Sequence, residues 1–349
     1  MPTPIAPQSV LNAWKLDAGS VSPLGSGLIN YTWLVSGSRS SPPYVLQQVN
    51  PVFPATVNDD IRVVTRHLLA AGLTTPELVP TPDGRWWVED ETHIYRLLTY
   101  IDGINRNRLS TPGEAAEAGA LLAGFHRALG TLEHQFSNPR LGVHNTTRHL
   151  AVLRKALVDH AGHSEITAIR PLAQEILKLA AALPPIPTVP DRVVHGDPKV
   201  NNLLFDTESG RGLCLIDLDT LGPMPLPLEL GDAFRSWCNP AGEDHRQSAF
   251  ALDLFTGAVE GYAGVAAGWI TADEIAGIVA GTLTIYVELA ARFCADALRE
   301  CYFGWDEQRF PSRSEHNQVR AASQLNSARA LWDMRCAADE VVRRAFAPA

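Results

Sequence analysis

The sequence predicts an α+β protein of two lobes, the first built mainly on strands and the second mainly on helices. The chain has 349 residues, 46% of them hydrophobic, which is enough to bury a large core and more than one small domain usually reaches. Short apolar and β-branched segments cluster before residue 100, whereas runs at helical spacing follow residue 110. Near residue 195 a strand, loop, strand, turn, strand unit interrupts the helices and converges its polar residues on one edge.

Taken in order, a Pro-rich lead gives way to a short helix around Val10 to Leu16. Strands are expected at Tyr31 to Val35 and Tyr44 to Val49. The turn Gly25-Ser26-Gly27 before them lets backbone N–H groups approach a phosphate, because glycine tolerates the dihedrals this requires. Val57, Ile61, Val64, Leu68 and Leu69 recur at a helical period and predict a helix over 57–71. Trp86 to Val88 and His93 to Tyr100 read as a strand pair, and Ile101-Asp102-Gly103 as the connection between lobes, which places the lobes at 1–102 and 103–349.

Thr111 as cap, Pro112 at the first helical position and Glu114 at the third predict a capping box. Its helix presents Leu121, Leu122, Phe125 and Leu129 on one face and ends near Gly130, with His126 expected to be structural. Ala151 to His160, Pro171 to Leu183 and Phe250 to Ala263 also read as helices, and Leu183-Pro184-Pro185-Ile186-Pro187 as a linker. The longest apolar run, Ile275 to Val287, falls short of the roughly 18 residues of a membrane span and is expected to be a buried helix.

Composition narrows the class of function. A formal net charge of −9 argues against nucleic-acid or anionic-membrane partners, which want a basic face. The cysteines, Cys214, Cys238, Cys294, Cys301 and Cys336, are odd in number and lack C-x-x-C spacing, so they read as reduced thiols. The first residues have neither the basic region nor the apolar stretch of a signal peptide, and a cytoplasmic location is expected.

The chemistry concentrates in His195-Gly196-Asp197-Pro198-Lys199-Val200-Asn201-Asn202, followed by the apolar strand Leu213 to Ile216 and Asp217-Leu218-Asp219. An acid and an amide five residues apart on a tight loop, with a second acid at a strand end, are the equipment for moving a phosphoryl group. That reaction asks the protein mainly to orient a hydroxyl and to hold magnesium against the phosphates. Asp197 suits the first task, Asn202 and Asp217 the second, with Asp219 in support, since magnesium needs only one or two hard oxygen ligands from the protein. Lys199, two residues after Asp197, is placed to neutralise charge on the transferring group. The Asp-x-Asp at a strand end also imitates the haloacid-dehalogenase phosphatases, but that fold begins with this strand and needs a later cation, and no lysine follows Lys199.

This segment resembles the aminoglycoside phosphotransferase and choline kinase family, whose fold is the bilobal protein-kinase-like one: a small N-terminal antiparallel-sheet lobe and a larger, mainly helical C-terminal lobe. Within the family it is most similar to the N-acetylhexosamine 1-kinase group. Gly25-Ser26-Gly27-Leu28-Ile29-Asn30-Tyr31-Thr32, Tyr44 to Asn50 and Tyr286 to Phe293 extend the similarity over residues 20 to 335. The resemblance implies ATP as co-substrate with Mg2+, and nucleotide contacts from Gly25, Ser26, Gly27, Asn30, Gln47, Thr99, Tyr100 and Ile101. It also implies an acceptor pocket with His144, Glu288, Arg292 and Tyr302 beside Asp197. Glu288, Arg292 and Asp296 recur at four-residue steps on one helix face, and the implied acceptor is a sugar, phosphorylated at its anomeric hydroxyl. An aminoglycoside, choline or another amino alcohol is the alternative.

One departure stands out. Protein kinases pair a strand lysine with a helix glutamate to hold the nucleotide phosphates. The only lysines here are Lys15, Lys155, Lys178 and Lys199, and the strand ending at Val49 has Gln47 and Gln48 instead. The helix over 57–71 has Asp59 and Asp60 but no glutamate. A nucleotide-binding pseudo-kinase without turnover is therefore the reading of another class, opposed by the intact set Asp197, Asn202 and Asp217.

Overall fold

The structure, a computed structural model, describes residues 5–16, 18–25, 30–37, 42–137, 139 and 142–347. An antiparallel five-stranded sheet forms the N-terminal part: β1 (Ala18–Pro23), β2 (Tyr31–Gly37), β3 (Tyr44–Val49), β4 (Val88–Glu89) and β5 (Ile94–Thr99), in the order β1-β2-β3-β5-β4. Alternation decides its faces. Trp33 and Val35, Leu46, and Tyr95 and Leu97 form one core cluster with Val10 and Leu11 of helix α1 (Gln8–Ala13) and Trp14 just after it. Arg96 falls between Tyr95 and Leu97 and so belongs to the opposite face, toward α2 (Val57–Ala70), whose Val57, Ile61, Val64 and Leu68 join the larger core of the chain.

Strand β1 was not anticipated from the sequence. Its Gly19, Ser20, Ser22 and Pro23 are poor strand formers, but it is an edge strand paired only with β2, where such residues are tolerated. The predicted strands over 31–35 and 44–49 and the pair around Val88 and His93 are present, as is the helix from Val57.

The remainder is mainly helical. After β6 (Ile104–Asn105) come α3 (Pro112–Leu129), α4 (Thr146–Asp159) and α5 (Ile166–Ala180), then β7 (Asp191–Val194), β8 (Leu203–Phe205), β9 (Gly212–Leu215) and β10 (Gly222–Pro225). Helices α6 (Leu226–Trp237), α7 (Leu252–Ala266), α8 (Ala272–Ala276), α9 (Ile278–Arg299) and α10 (Arg313–Ala345) complete the described chain. Helix α9 is the axis of this part, contacting α4, α5, α6, α8 and α10. At 22 residues it starts later and runs farther than the apolar stretch Ile275 to Val287, so it is long and apolar enough to cross a membrane by composition, with mean hydropathy 1.5. Yet 94% of that window is buried inside the protein, as expected of a core helix. Helices α3 and α7 approach closely: a Cβ on Gly119 would sit 2.1 Å from the Ala258 carbonyl oxygen.

Three local expectations are corrected. Thr111 Oγ1 accepts the Glu114 N–H at 3.2 Å, but the Glu114 carboxylate reaches the N–H of Ser110, not that of Thr111, and pairs with Arg106, so the predicted capping box is only half formed. Pro171 lies inside α5, which starts five residues earlier, at Ile166. Helix α10, 33 residues and largely polar in sequence, was not predicted because its apolar positions do not form one strong stripe.

Candidate active site

The loop after β7 is built from tight backbone geometry and braced from outside. Gly196 has φ +81°, and a Cβ there would lie 2.3 Å from the Thr220 carbonyl oxygen, so the turn needs glycine. His195 is fully buried: its Nδ1 accepts the Asp197 N–H at 3.3 Å, which leaves Nε2 to donate to the Ile216 carbonyl at 2.9 Å. Helix α6 supplies the outer brace. The Glu229 carboxylate accepts the N–H groups of His195 and Gly196 at 3.0 Å each, Trp237 Nε1 donates to the Pro198 carbonyl at 2.9 Å, and Ser236 Oγ accepts the Val200 N–H at 3.1 Å. Asp232 lies one turn further along the same helix. Asp232 instead pairs with Arg235, whose Nε donates to it at 2.9 Å, and the brace is Glu229 on the preceding turn of the same helix.

Asp197, Lys199, Asn202 and Asp217 are brought together. Lys199 Nζ donates to Asp197 Oδ2. Asn202 donates its amide N–H to the Asp197 carbonyl at 2.8 Å, which commits the nitrogen and leaves the amide oxygen as the atom to offer a cation. Leu203 pairs with Leu215 across the β8–β9 hairpin, and the Ile216 N–H donates to the Asn202 carbonyl at 2.9 Å, so Asn202 lies next to the turn that carries Asp217. Asp217 itself has φ +64° and ψ 58°, a left-handed conformation uncommon for a residue with a side chain and typical of strained functional turns.

The electrostatics follow from burial and charge. Burial alone would raise the Asp197 carboxyl, but the Lys199 ammonium beside it brings it below its ordinary value and holds it ionised. Burial would lower Lys199, and the carboxylates of Asp197 and Asp217 raise it instead. Asp217 is pushed up to about 6, first by burial and then by Asp219, against the opposing pull of Lys199. A cation placed at Asp217 would relieve that unfavourable charge. The donors fit magnesium: one carboxylate and one amide oxygen, both hard, with phosphates and water to complete the shell. Among the described residues no group of three or more His, Cys, Asp and Glu forms a metal cage of another kind.

On the sheet side the sequence-derived set is only partly gathered. Gly25 has φ +75°, while Ser26 and Gly27 lie outside the described residues. Asn30 is buried, its amide N–H donating to Asp219 Oδ2 at 2.6 Å and its oxygen accepting the Asn50 N–H at 2.8 Å, so the side chain is a tie within the protein. The Thr99 N–H is given to the Glu77 carbonyl at 2.9 Å, which removes it as a donor to a base; Tyr100 and Ile101 follow the strand as half-buried loop residues.

The residue that sequence reasoning missed is Arg96 on β5. Its Nε donates to Gln47 Oε1 at 2.9 Å, Nη1 to Asn58 Oδ1 at 3.4 Å and to Asp219 Oδ1, and Nη2 to Asp219 Oδ2 at 3.0 Å. Both Asp219 oxygens thereby accept bonds within the protein, so Asp219 is an ion-pair partner in this arrangement. The signal was present in Ile94-Tyr95-Arg96-Leu97-Leu98, since a cation inside an apolar strand demands a buried partner.

The acceptor-side residues also meet, with different exposures from those expected. Glu288 is fully buried; it accepts from His144 Nδ1 at 2.9 Å and Thr146 Oγ1 at 2.7 Å, and Arg292 lies 3.9 Å away. Burial would lower His144, but the bond to Glu288 raises it, which favours the charged imidazolium. Asp296 is likewise internal, accepting the N–H groups of Cys301, Tyr302 and Phe303 and the Asn317 amide. What remains accessible is a cavity of about 400 Å³ lined in part by Val143, Arg148, His149, Arg292, Arg299 and Tyr302. Val143 also borders a small crevice with Gly196 and Thr220, which joins this wall to the catalytic loop.

Residues 20–267 match the family model of the phosphotransferase enzyme family. Among solved structures, the microcompartment-associated aminopropanol kinase is similar over 96% of this chain and 98% of its own, at 16% identity and a TM-score of 0.61. An aminoglycoside phosphotransferase from Alicyclobacillus acidocaldarius covers 97% of this chain and 98% of its own, at 17% identity and TM-score 0.58. An amicoumacin kinase in complex with AMP-PNP, Ca2+ and Ami covers 91% and 92%, at 13% identity and TM-score 0.60. At these identities the likeness to the solved structures is one of fold.

Proposed function

This chain belongs to the phosphotransferase enzyme family, and on that premise we propose that it transfers the γ-phosphate of ATP to a hydroxyl of a sugar, the anomeric hydroxyl of a hexose or N-acetylhexosamine. In this reading the nucleotide lies between residues 1–102 and 103–349; a kinase of this fold has been solved in complex with AMP-PNP. Asp197 accepts the acceptor proton as the acceptor oxygen bonds to the γ-phosphorus and the bond to the β–γ bridging oxygen breaks, releasing ADP. Lys199 keeps Asp197 ionised until then and faces the charge of the transferring group. Asn202 and Asp217 would hold magnesium, which would supply positive charge to offset the negative charge of the phosphates.

The observation that carries the choice of acceptor is the charge of the cavity of about 400 Å³ that Val143 borders. Among the described residues, Arg148, Arg292 and Arg299 line it against a single carboxylate, Asp296, which is already committed to backbone N–H groups and Asn317. Such a wall repels the ammonium groups of an aminoglycoside or an amino alcohol, whereas guanidinium donors and the Tyr302 ring suit a neutral polyhydroxylated ligand. The test is a screen of the protein with ATP and magnesium against hexoses, N-acetylhexosamines, aminoglycosides and amino alcohols, following ADP release. Turnover led by a free sugar supports the reading. An aminoglycoside or choline preferred over every sugar defeats the acceptor assignment, and nucleotide binding without turnover on any acceptor defeats the enzyme itself.

A further inference from the structure

Arg96 stands where four elements meet around one guanidinium. Gln47 on β3 is its cross-strand neighbour, Asn58 is on the first turn of α2, and Asp219 is two residues beyond Asp217. All three offer oxygen to Arg96, and each is itself fixed. The Gln47 amide N–H donates to Thr32 Oγ1 at 3.3 Å, the Asn58 amide donates to the Ala55 carbonyl at 2.9 Å, and Asp219 Oδ2 also accepts from Asn30. Arg96 and Asp219 have side chains 1% and 2% exposed. A buried ion pair of this kind is weak support for stability, because apolar residues of similar volume often serve as well or better. Its fixed fork geometry, in contrast, sets the position of whatever it holds.

The neighbourhood explains the missing lysine. In a protein kinase a lysine on the third strand pairs with a glutamate on the following helix, coupling sheet, helix and phosphates. Here the strand offers the neutral Gln47 and the helix the neutral Asn58. Asp59 faces Arg62, and Asp60 accepts from His134 and the Ser137 N–H, so neither helix acid turns to the strand. One cation from the adjacent strand collects both amide oxygens and extends the link to the turn that bears Asp217.

We propose that Arg96 is a positioning residue for phosphoryl transfer: by gripping Asp219 it fixes the strained Asp217 turn against the sheet, so that the metal and the nucleotide phosphates meet in register. The Arg96–Asp219 pair with its two amide supports replaces the lysine–glutamate pair as the coupling between sheet, helix and metal site. Arg96 acts through Asp219 and does not itself touch the phosphates, since it is shielded from solvent with its donors engaged. The inference rests on the assignment of Asp217 to the metal.

The experiment measures steady-state kinetics of the full chain at varied magnesium, ATP and acceptor. Removing both charges together, Arg96→Met with Asp219→Asn, leaves no unpaired buried ion and preserves the fold, checked by circular dichroism and melting. Supporting partners of metal ligands typically contribute about 10–100-fold in metal affinity or activity. The double variant is accordingly expected to need about 10–100-fold more magnesium or to lose that factor in kcat/KM for ATP, while KM for the acceptor stays within about twofold. Arg96→Lys keeps the charge but cannot fork to Gln47, Asn58 and Asp219 at once, and is expected to fall between wild type and the double variant. Wild-type magnesium dependence and kcat/KM for ATP in either folded variant overturn the proposal. Asp217→Asn separates the two readings: if it retains turnover, the metal assignment and this inference both fall, and if it is inactive while the double variant behaves as wild type, only the role of Arg96 falls.

Discussion

The proposed catalytic loop and the proposed acceptor wall are both organised by buried charge, but they are assembled at different ranges. Asp197, Lys199, Asn202 and Asp217 lie within one short stretch of sequence, and their loop is shaped by Gly196, His195 and the hairpin that follows. The acceptor wall joins the loop at His144 to helix α9 at Glu288 and to the segment after it at Tyr302. In the first region the acids Asp197 and Asp217 are the ones we propose for the chemistry. In the second the two acids, Glu288 and Asp296, are internal struts, and the residues they steady, Arg292 and Tyr302, line the cavity.

Mutations should separate the two regions by the parameter they move. The largest losses belong to the loop. Asp197→Asn is expected to lower kcat by about 10²–10⁴-fold with little change in ATP affinity, the range typical of general-base help. Asp217→Ala is expected to abolish magnesium-dependent turnover, because the Lewis-acid contribution is several kcal/mol. Retention of most of kcat in either variant, measured at saturating substrates, would remove that residue from the chemistry.

Glu288→Ala should act on folding first. It leaves His144 and Thr146 without their buried acceptor and is expected to cost about 3–5 kcal/mol, read from the denaturation midpoint. A variant as stable as wild type would show that the wall does not depend on this strut.

Arg292→Ala is expected to raise KM for the sugar about tenfold, close to 1.4 kcal/mol, with KM for ATP unchanged. An equal rise in both would place Arg292 outside the acceptor pocket. Lys199→Met is predicted to lower kcat by a similar factor without moving the sugar KM, as the low end of the about 1.5–3 kcal/mol of one charge-assisted bond implies. An unchanged rate would make Lys199 a bystander.

The smallest effect is a pH dependence confined to the wall. Since His144 is raised in the folded protein by Glu288, its contribution is fully present below the ordinary histidine value of about 6.5 and is lost as pH rises through the folded value. The melting-temperature advantage of wild type over His144→Gln should therefore be largest in mild acid and shrink toward alkaline pH. A constant difference across that range would show that the pair is not ionic.

The chain by itself determined the fold class and the phosphoryl-transfer loop. Strand and helix periods are local patterns, and the spacing of Asp197, Asn202 and Asp217 follows from one hairpin whose turn residues are fixed by neighbours in sequence. Only the tertiary structure decided which polar residues are exposed and which are struts. The four-residue steps Glu288, Arg292 and Asp296 fit a solvated ladder as well as a pocket wall, and burial of α9 beneath α4, α6 and α10 turned the two acids inward. Arg96 and Glu229 escaped the sequence reading for the same reason. Each acts through partners far along the chain, Asp219 from Arg96 and the His195 turn from Glu229, and the energy of a buried charge is set by what packing brings beside it.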